Sequence, residues 1–183
     1  KINNKFFLKK LQTNIIKYEA LSLVVLDFLK EHNVEMDEKF SILVNSGPGS
    51  FSGIRIALAI AKGIKLVKKL NIYSYNNFIL NAAPHLKKTE SLISIIKTNN
   101  FYYYSEGNFS KNIKFTVPKK LDPGYLETNN SSLIFSQEFK NDDIIKNIDP
   151  KKVYIAKFDL KNIEILIKKN LLENELIKPL YLS

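Results

Sequence analysis

The sequence predicts an α/β fold of two small domains, and three observations predict it. Apolar runs of strand length alternate with stretches of helical periodicity; the one glycine cluster, at Gly47, Gly49 and Gly53, lies where such a run passes into a helix; and a hairpin pattern follows a polar break near residues 87–90. At 183 residues the chain can bury one sizeable core or two small ones.

Residues Phe6 to Leu11 alternate loosely between apolar and basic and read as an edge strand, with Asn14 as the cap of the helix that follows. From Ile15 to Lys30 the positions Ile15, Tyr18, Leu21, Val25, Phe28 and Leu29 keep helical spacing, which gives an amphipathic helix with a wide apolar face. Phe40 to Val44, bounded by Asn45 and Gly47, reads as a buried parallel strand. Ile54 to Leu70 reads as a second helix, apolar nearly all round in its first turns and rich in small residues, so it must be covered on more than one side. Asn71 to Tyr75 is a strand, and Phe78 to Ala83 a helical piece that Pro84 helps to stop.

The second half opens with a hairpin, Leu92 to Ile96 and Phe101 to Tyr104 about a polar turn. Pro118 to Asn130 holds two prolines and a glycine and reads as a surface excursion. Leu133 to Ser136 and Val153 to Ala156 are short strands, Ile144 to Ile148 is a helical turn, and Leu160 to Leu172 is a helix. The expected domains are residues 1–89 and 90–183, with the last helix free to pack back on the first domain.

Composition removes several classes of function. Without cysteine there is no disulfide framework and no thiolate metal site, which fits a reducing compartment, and the cytoplasm is expected. The longest apolar stretches fall far short of the roughly 20 residues that span a bilayer, so no membrane partner is expected. His32 and His85 are far apart and not at ligand spacing, so no metal site is expected. Asp142 and Asp143 are adjacent and would point apart, and Ser50 has no histidine nearby, so no catalytic residues are assigned. Net charge is +10, which attracts polyanions in general, but the lysines are scattered and no run of five basic residues appears.

Chemistry concentrates in Ser46 to Ile64, SGPGSFSGIRIALAIAKGI. Gly47 and Gly49 open backbone angles closed to other residues, Pro48 stiffens the turn, and Ser50 or Ser52 can cap the helix that follows. The helix amides would then form an anion-binding end. The spacing through Gly53 is one residue longer than the dinucleotide fingerprint, and no P-loop lysine follows. Two readings stay open, a phosphate or interface contact at Gly47, Gly49, Ser50, Ser52, Gly53 and Arg55, and a purely structural turn that lets the helix pack closely. Arg55 is the only arginine in the chain, and its planar fork can do what lysine cannot.

The stretch GPGSFSGIRIALAIAKGI resembles the signature GPGSFTGLRIGLATAKGLA of the TsaB (YeaZ) family. NIIKYEALSLVVLDFL resembles that family's HSERLLPLIDELL helix, with Tyr18 where histidine is usual, and the closing PLYLS resembles its PVYLR, with Ser183 for arginine. SLISIIKTNNFYYYSEGN stands where the family has two strands about an Asp-Ala-Arg-Arg turn; here the turn reads KTNN. The family opens on a strand reading ILAIDTS that has no counterpart in this sequence, so the native protein is expected to be longer at its amino terminus.

The resemblance implies two actin-like domains of the sugar kinase and Hsp70 superfold, each a mixed sheet flanked by helices. It implies a non-catalytic scaffold that binds a TsaD-like catalytic subunit and a TsaE-like ATPase in threonylcarbamoyl transfer to the adenosine beside the anticodon. Transfer RNA is then an indirect partner, the chain alone holds no cofactor, ATP or ADP belongs to the assembled complex, and a homodimer is admissible when the chain is alone. The implied partner surface is the first two helices, with Tyr18, Leu21, Val25, Phe28, Leu58 and Ala61 as its apolar contacts. The enzyme alternatives are a nucleotide-binding phosphotransferase and a glycopeptidase-like hydrolase of the same superfold.

Overall fold

The computed structural model describes residues 7, 9, 20–37, 39–86, 90–98, 101–109, 113–136, 142–146, 148–157, 159–174 and 177–182. The chain forms two compact units, Lys1–Ser74 with Glu173–Pro179, and Tyr75–Leu172 with Leu180–Ser183. The break expected near residues 87–90 falls inside the second unit. The expected strand at Phe6 to Leu11, the Asn14 cap and the helix's first turn from Ile15 lie outside the described residues, apart from Phe7 and Lys9.

The first unit contains α1 (Leu21–Glu31), β1 (Ser41–Asn45), α2 (Phe51–Lys68) and β2 (Asn71–Tyr75) up to Ser74. Beyond α1 the backbone turns at Asn33, whose φ of 51° is one asparagine tolerates. The His32 ring lies 4.2 Å from the Phe7 ring and 4.7 Å from that of Phe28, and Lys9 Nζ pairs with Glu31 at 3.0 Å. Helix α2 starts one turn earlier than its periodicity suggested, because the Ser50 hydroxyl accepts the Gly53 N–H at 3.3 Å and closes the first turn. Its other end closes on Lys69 in the left-handed conformation, whose N–H donates to the Lys65 carbonyl.

Strands β1 and β2 pair in a two-stranded sheet. Val44, Leu58, Ala61, Leu70, Ile72 and Ile177 make the core of this unit. Ile177 comes from the returning segment, which is fastened to β2 by two backbone bonds: Ser74 N–H to the Glu173 carbonyl at 2.7 Å, and Glu173 N–H to the Ser74 carbonyl at 2.9 Å. The expectation of a buried β1 is corrected, since only Val44 is buried in it. Helix α1 stands off from the strand and has no buried residue of its own.

The second unit begins with α3 (Asn77–Ala82), capped by the Asn76 side chain on the Ile79 N–H at 3.0 Å, and runs through a 3-10 turn that contains Pro84. Then come β3 (Ser91–Thr98), β4 (Phe101–Asn108), β5 (Lys114–Phe115), β6 (Lys119–Lys120), α4 (Pro123–Thr128), β7 (Ser132–Ser136), α5 (Asp143–Lys146), β8 (Val153–Ala156) and α6 (Leu160–Lys168). The sheet order is β5-β4-β3-β7-β8, with β6 also on β4. Strands β3 and β4 form the expected hairpin, β7 runs parallel to β3 and β8 parallel to β7. On one face Ile93, Ile95, Tyr104, Leu133 and Phe135 pack with Leu121 and Leu126. On the other, Leu92, Ile134 and Ala156 meet Ala82 and Leu86, while Leu166 of α6 packs on Ile79, Leu80 and Ala83.

Two expectations here are corrected. The segment 118–130 is no mere excursion: Asp122 caps α4 through the Gly124 N–H at 3.1 Å, Pro123 opens the helix, and Leu121 and Leu126 enter the core. Helix α6 ends at Lys168 rather than Leu172, because Asn170 turns the chain at φ 54°. Polar pairs bind the rim. The Tyr125 hydroxyl donates to Glu106 Oε1 at 2.5 Å and accepts from Asn129 Nδ2 at 3.0 Å, and Lys97 Nζ meets Asp142 at 2.8 Å. Burial first, and then the Glu106 carboxylate, push the Tyr125 hydroxyl up from its ordinary value. The Lys97 ammonium first, and then the Tyr102 hydroxyl, hold the Asp142 carboxyl below its usual range.

Leu126→Ala should therefore destabilise the protein by about 2–4 kcal/mol, as a core leucine does, whereas Val117→Ala on the exposed neighbouring loop should stay within about 0.5 kcal/mol. Urea denaturation followed by circular dichroism checks both. The depressed Asp142 value contributes stability that is complete above the unfolded-state pKa and fades as pH falls through the folded one. Asp142→Asn is thus expected to lower the urea midpoint at pH 7, and to lose that effect once acid has protonated the wild-type carboxyl. Equal midpoint shifts at both pH values would show that the pair adds nothing.

Candidate functional site

The glycine loop is built into the first unit. Ser46, Gly47 and Pro48 are buried, and Gly47 adopts φ 113°, a conformation in which a side chain would be strained. Its N–H donates to Asn45 Oδ1 at 2.8 Å. The Gly47–Pro48 peptide is cis. Gly49, Ser50 and Ser52 lie on the surface, the two hydroxyls 3.4 Å apart, and Gly53 is half-buried within α2. From Ser46 to Ile54 hydroxyls are the only polar side-chain groups, so the loop itself offers no base. Arg55 projects from the first turns of α2 and lays its guanidinium over the Phe51 ring, 3.7 Å from the centroid.

Beside this loop, α1 and α2 enclose an apolar groove of about 380 Å³. Leu21, Val25 and Leu29 line it from α1, Ala57, Ile60 and Ile64 from α2, and every residue of β1 borders it. Among the described residues β1 pairs only with β2. The groove exists because α2 is apolar on two adjoining sides and the small sheet can cover only one of them.

The expected contact residues separate in three ways. Tyr18 lies outside the described residues. Leu21 and Val25 line the groove, and Phe28 is half-buried edge-on to His32. Leu58 and Ala61 are each 3% exposed in the core of the unit, Ala61 also bordering the groove. Helical spacing sends them inward with Ile54, onto Val44 and Ile72. The outward stripe of α2 is instead Phe51, Arg55, Ala59, Lys62 and Leu66, spaced i, i+4, i+8, i+11 and i+15 and all exposed. Leu66 is 82% and Val67 77% exposed, and Leu23 and Leu26 stand out from α1 in the same unit. Cations interleaved with its apolar members mask that stripe in the sequence, where its signal is the spacing of Phe51, Ala59 and Leu66.

Among the described residues no three His, Asp or Glu side chains gather into a group able to hold a metal ion. His85 packs on the Tyr154 ring at 4.8 Å, and Asp142 and Asp143 part company toward Lys97 and Lys146. Among the described residues no helix is long and apolar enough to cross a membrane.

Three comparisons bear on this arrangement. The family described as TsaD, tRNA N6-adenosine threonylcarbamoyltransferase, matches residues 18–158. The tRNA threonylcarbamoyladenosine biosynthesis protein TsaB of Buchnera aphidicola subsp. Baizongia pistaciae (strain Bp) is 34% identical over 89 residues. That match takes in 45% of this chain and 40% of the relative, less than half the length of either. Two Pseudomonas aeruginosa structures share the fold. One, described as similar to the peptidase YeaZ, has a TM-score of 0.61 at 15% identity and covers 92% of this chain and 85% of that one. The other, YeaZ itself, has a TM-score of 0.59 at 16% identity and covers 88% and 83%. With a mixed α/β fold, the glycine loop and a family match over most of its length, the chain belongs to the tRNA N6-adenosine threonylcarbamoyltransferase (TsaD) family, among its TsaB/YeaZ members.

Proposed function

We propose that this chain is a non-catalytic subunit in tRNA threonylcarbamoyladenosine synthesis, which docks a TsaD-like catalytic subunit on α1 and α2 of its first unit. The observation that carries the reading is the pair of helices itself. Helix α1 has no buried residue, it shares an open apolar groove with α2, and the same two helices also expose Leu23, Leu26, Leu66 and Val67. Apolar surface left open in this way marks an interaction site.

In this reading the two units are actin-like and the chain works in the cytoplasm. The glycine loop serves the interface rather than a reaction. Ser50 spends its hydroxyl on the helix cap, and Arg55 is stacked on Phe51 at the edge of the docking stripe. ATP or ADP, with a TsaE-like ATPase, enters only in the assembled complex, and tRNA is met through the catalytic subunit. Calorimetry with ATP and magnesium on the chain alone should give no binding heat; saturable binding would favour the phosphotransferase reading instead.

Leu23→Asp and Leu66→Asp place a carboxylate on exposed positions, so both proteins should fold normally by circular dichroism. In the complex each carboxylate would be desolvated at a cost of several kcal/mol, and about 1.4 kcal/mol is a tenfold change in affinity. Both variants should therefore fail to co-purify with the catalytic subunit and to support tRNA modification in a reconstituted system. Leu58→Asp should instead unfold the first unit. Full activity in folded Leu23→Asp and Leu66→Asp proteins would rule out these helices as the partner surface.

A further inference from the structure

Charge in this chain is unevenly divided. Residues 39 to 89 contain no Asp or Glu, although the chain's own average would put about five in a stretch of that length. The same stretch holds eight basic residues, so it supplies +8 of the net +10. Helix α2 lies inside it. Arg55, Lys62, Lys65, Lys68 and Lys69 are all exposed, and the four lysines make no ion pair among the described residues.

Helix energetics account for only part of this. Lys65 and Lys68 lie in the last turn, where the macrodipole favours a cation. Arg55 sits near the opposite end, where the dipole disfavours one, and Lys62 sits near the middle. Both share the outward stripe with Phe51, Ala59 and Leu66, so the exposed surface of α2 alternates apolar side chains with positive ones.

We infer that the surface which docks on α2 belongs to an acidic protein segment, an apolar strip edged by Asp and Glu side chains. The inference rests on the reading of α1 and α2 as the partner face and adds the chemistry of what binds there. Complementary charge steers encounter and sets the association rate, while buried apolar contact sets the lifetime of the complex. RNA is the poorer match. A phosphate backbone would leave Leu66 and Val67 against water, and one face of the Phe51 ring is already covered by Arg55.

The test measures association and dissociation rates of the full chain with the TsaD-like subunit of the same genome, by interferometry at low and high sodium chloride. The wild-type association rate should fall about tenfold or more as salt screens the steering. Lys62→Glu/Lys65→Glu should lower it about tenfold at low salt, flatten its salt dependence and leave dissociation nearly unchanged. Lys62→Gln/Lys65→Gln should give an intermediate effect without the risk of new attractions inside the fold. Leu66→Ser should raise the dissociation rate and keep the salt slope. Association indifferent to salt and to both charge variants overturns the acidic partner, and if Leu66→Ser still speeds dissociation the docking face itself survives. If none of the variants changes binding, or the wild-type chain forms no complex, the docking face falls as well. Salt-sensitive binding of a tRNA transcript to the chain alone, lost in Lys62→Glu/Lys65→Glu while the protein complex is unmoved, would assign the charge to RNA and overturn the inference.

Discussion

Strand β3 is buried on both faces, and the second unit is built outward from that condition. Five consecutive residues, Leu92 to Ile96, are buried, so each face of the strand must be covered by a separate layer. Strand β4 pairs with it on one edge through eight residues and β7 pairs on the other, which leaves no edge for a further strand. The layers then follow from pleat parity. Ile93 and Ile95 collect Leu121, Leu126 and Phe135 on one side, while Leu92 and Ile96 meet α3, α6 and the closing residues Leu180 and Leu182 on the other. The arrangement has a cost, since Ser94 Oγ is buried in the middle of β3 with no hydrogen-bond partner among the described residues.

The first unit obeys the opposite arithmetic. Its sheet has two strands, and its core gathers around Leu58 and Ala61 on one side of a helix that is apolar on more than one. A two-stranded sheet is marginal by itself, and it gains most from whatever covers its remaining apolar surface. The groove between α1 and α2, with Leu23, Leu26, Leu66 and Val67 exposed on the same helices, leaves this unit with apolar surface that its own core does not cover. Stability and association are then expressions of the same deficit.

Much of this was legible from residues. The glycine loop, α2 and β2 are legible because Gly47 and Gly49 open backbone angles closed to other residues, Ser50 supplies a cap, and the run Asn71 to Tyr75 has the length of a strand. What failed was direction. Periodicity shows that α2 has surplus apolar surface but not which arc the sheet takes, so Leu58 and Ala61 were expected at a surface that belongs to Leu66. The segment around Leu121 and Leu126 reads as an excursion if proline and glycine are only breakers, yet Asp122-Pro123 is equally a helix start. The limits of the units were out of reach, because residues 173–179 join the first unit through contacts that local sequence does not encode. The charge asymmetry makes no run of lysines and consists of a gap in the carboxylates from residue 39 to 89.

That return of the chain also bears on how the protein is made. The first unit closes on Ile177 and on the paired bonds between Ser74 and Glu173, and both arrive after the whole of β3 to α6. A ribosome therefore delivers residues 75–172 as a contiguous piece that can fold while synthesis continues, but releases the unit translated first with its core unsealed. The helices of the first unit must wait, apolar faces open, until residues 173–179 have cleared the exit tunnel. In a growing chain this is the interval of greatest exposure to chaperones and to aggregation, and it is set by topology rather than by the sequence of the exposed helices.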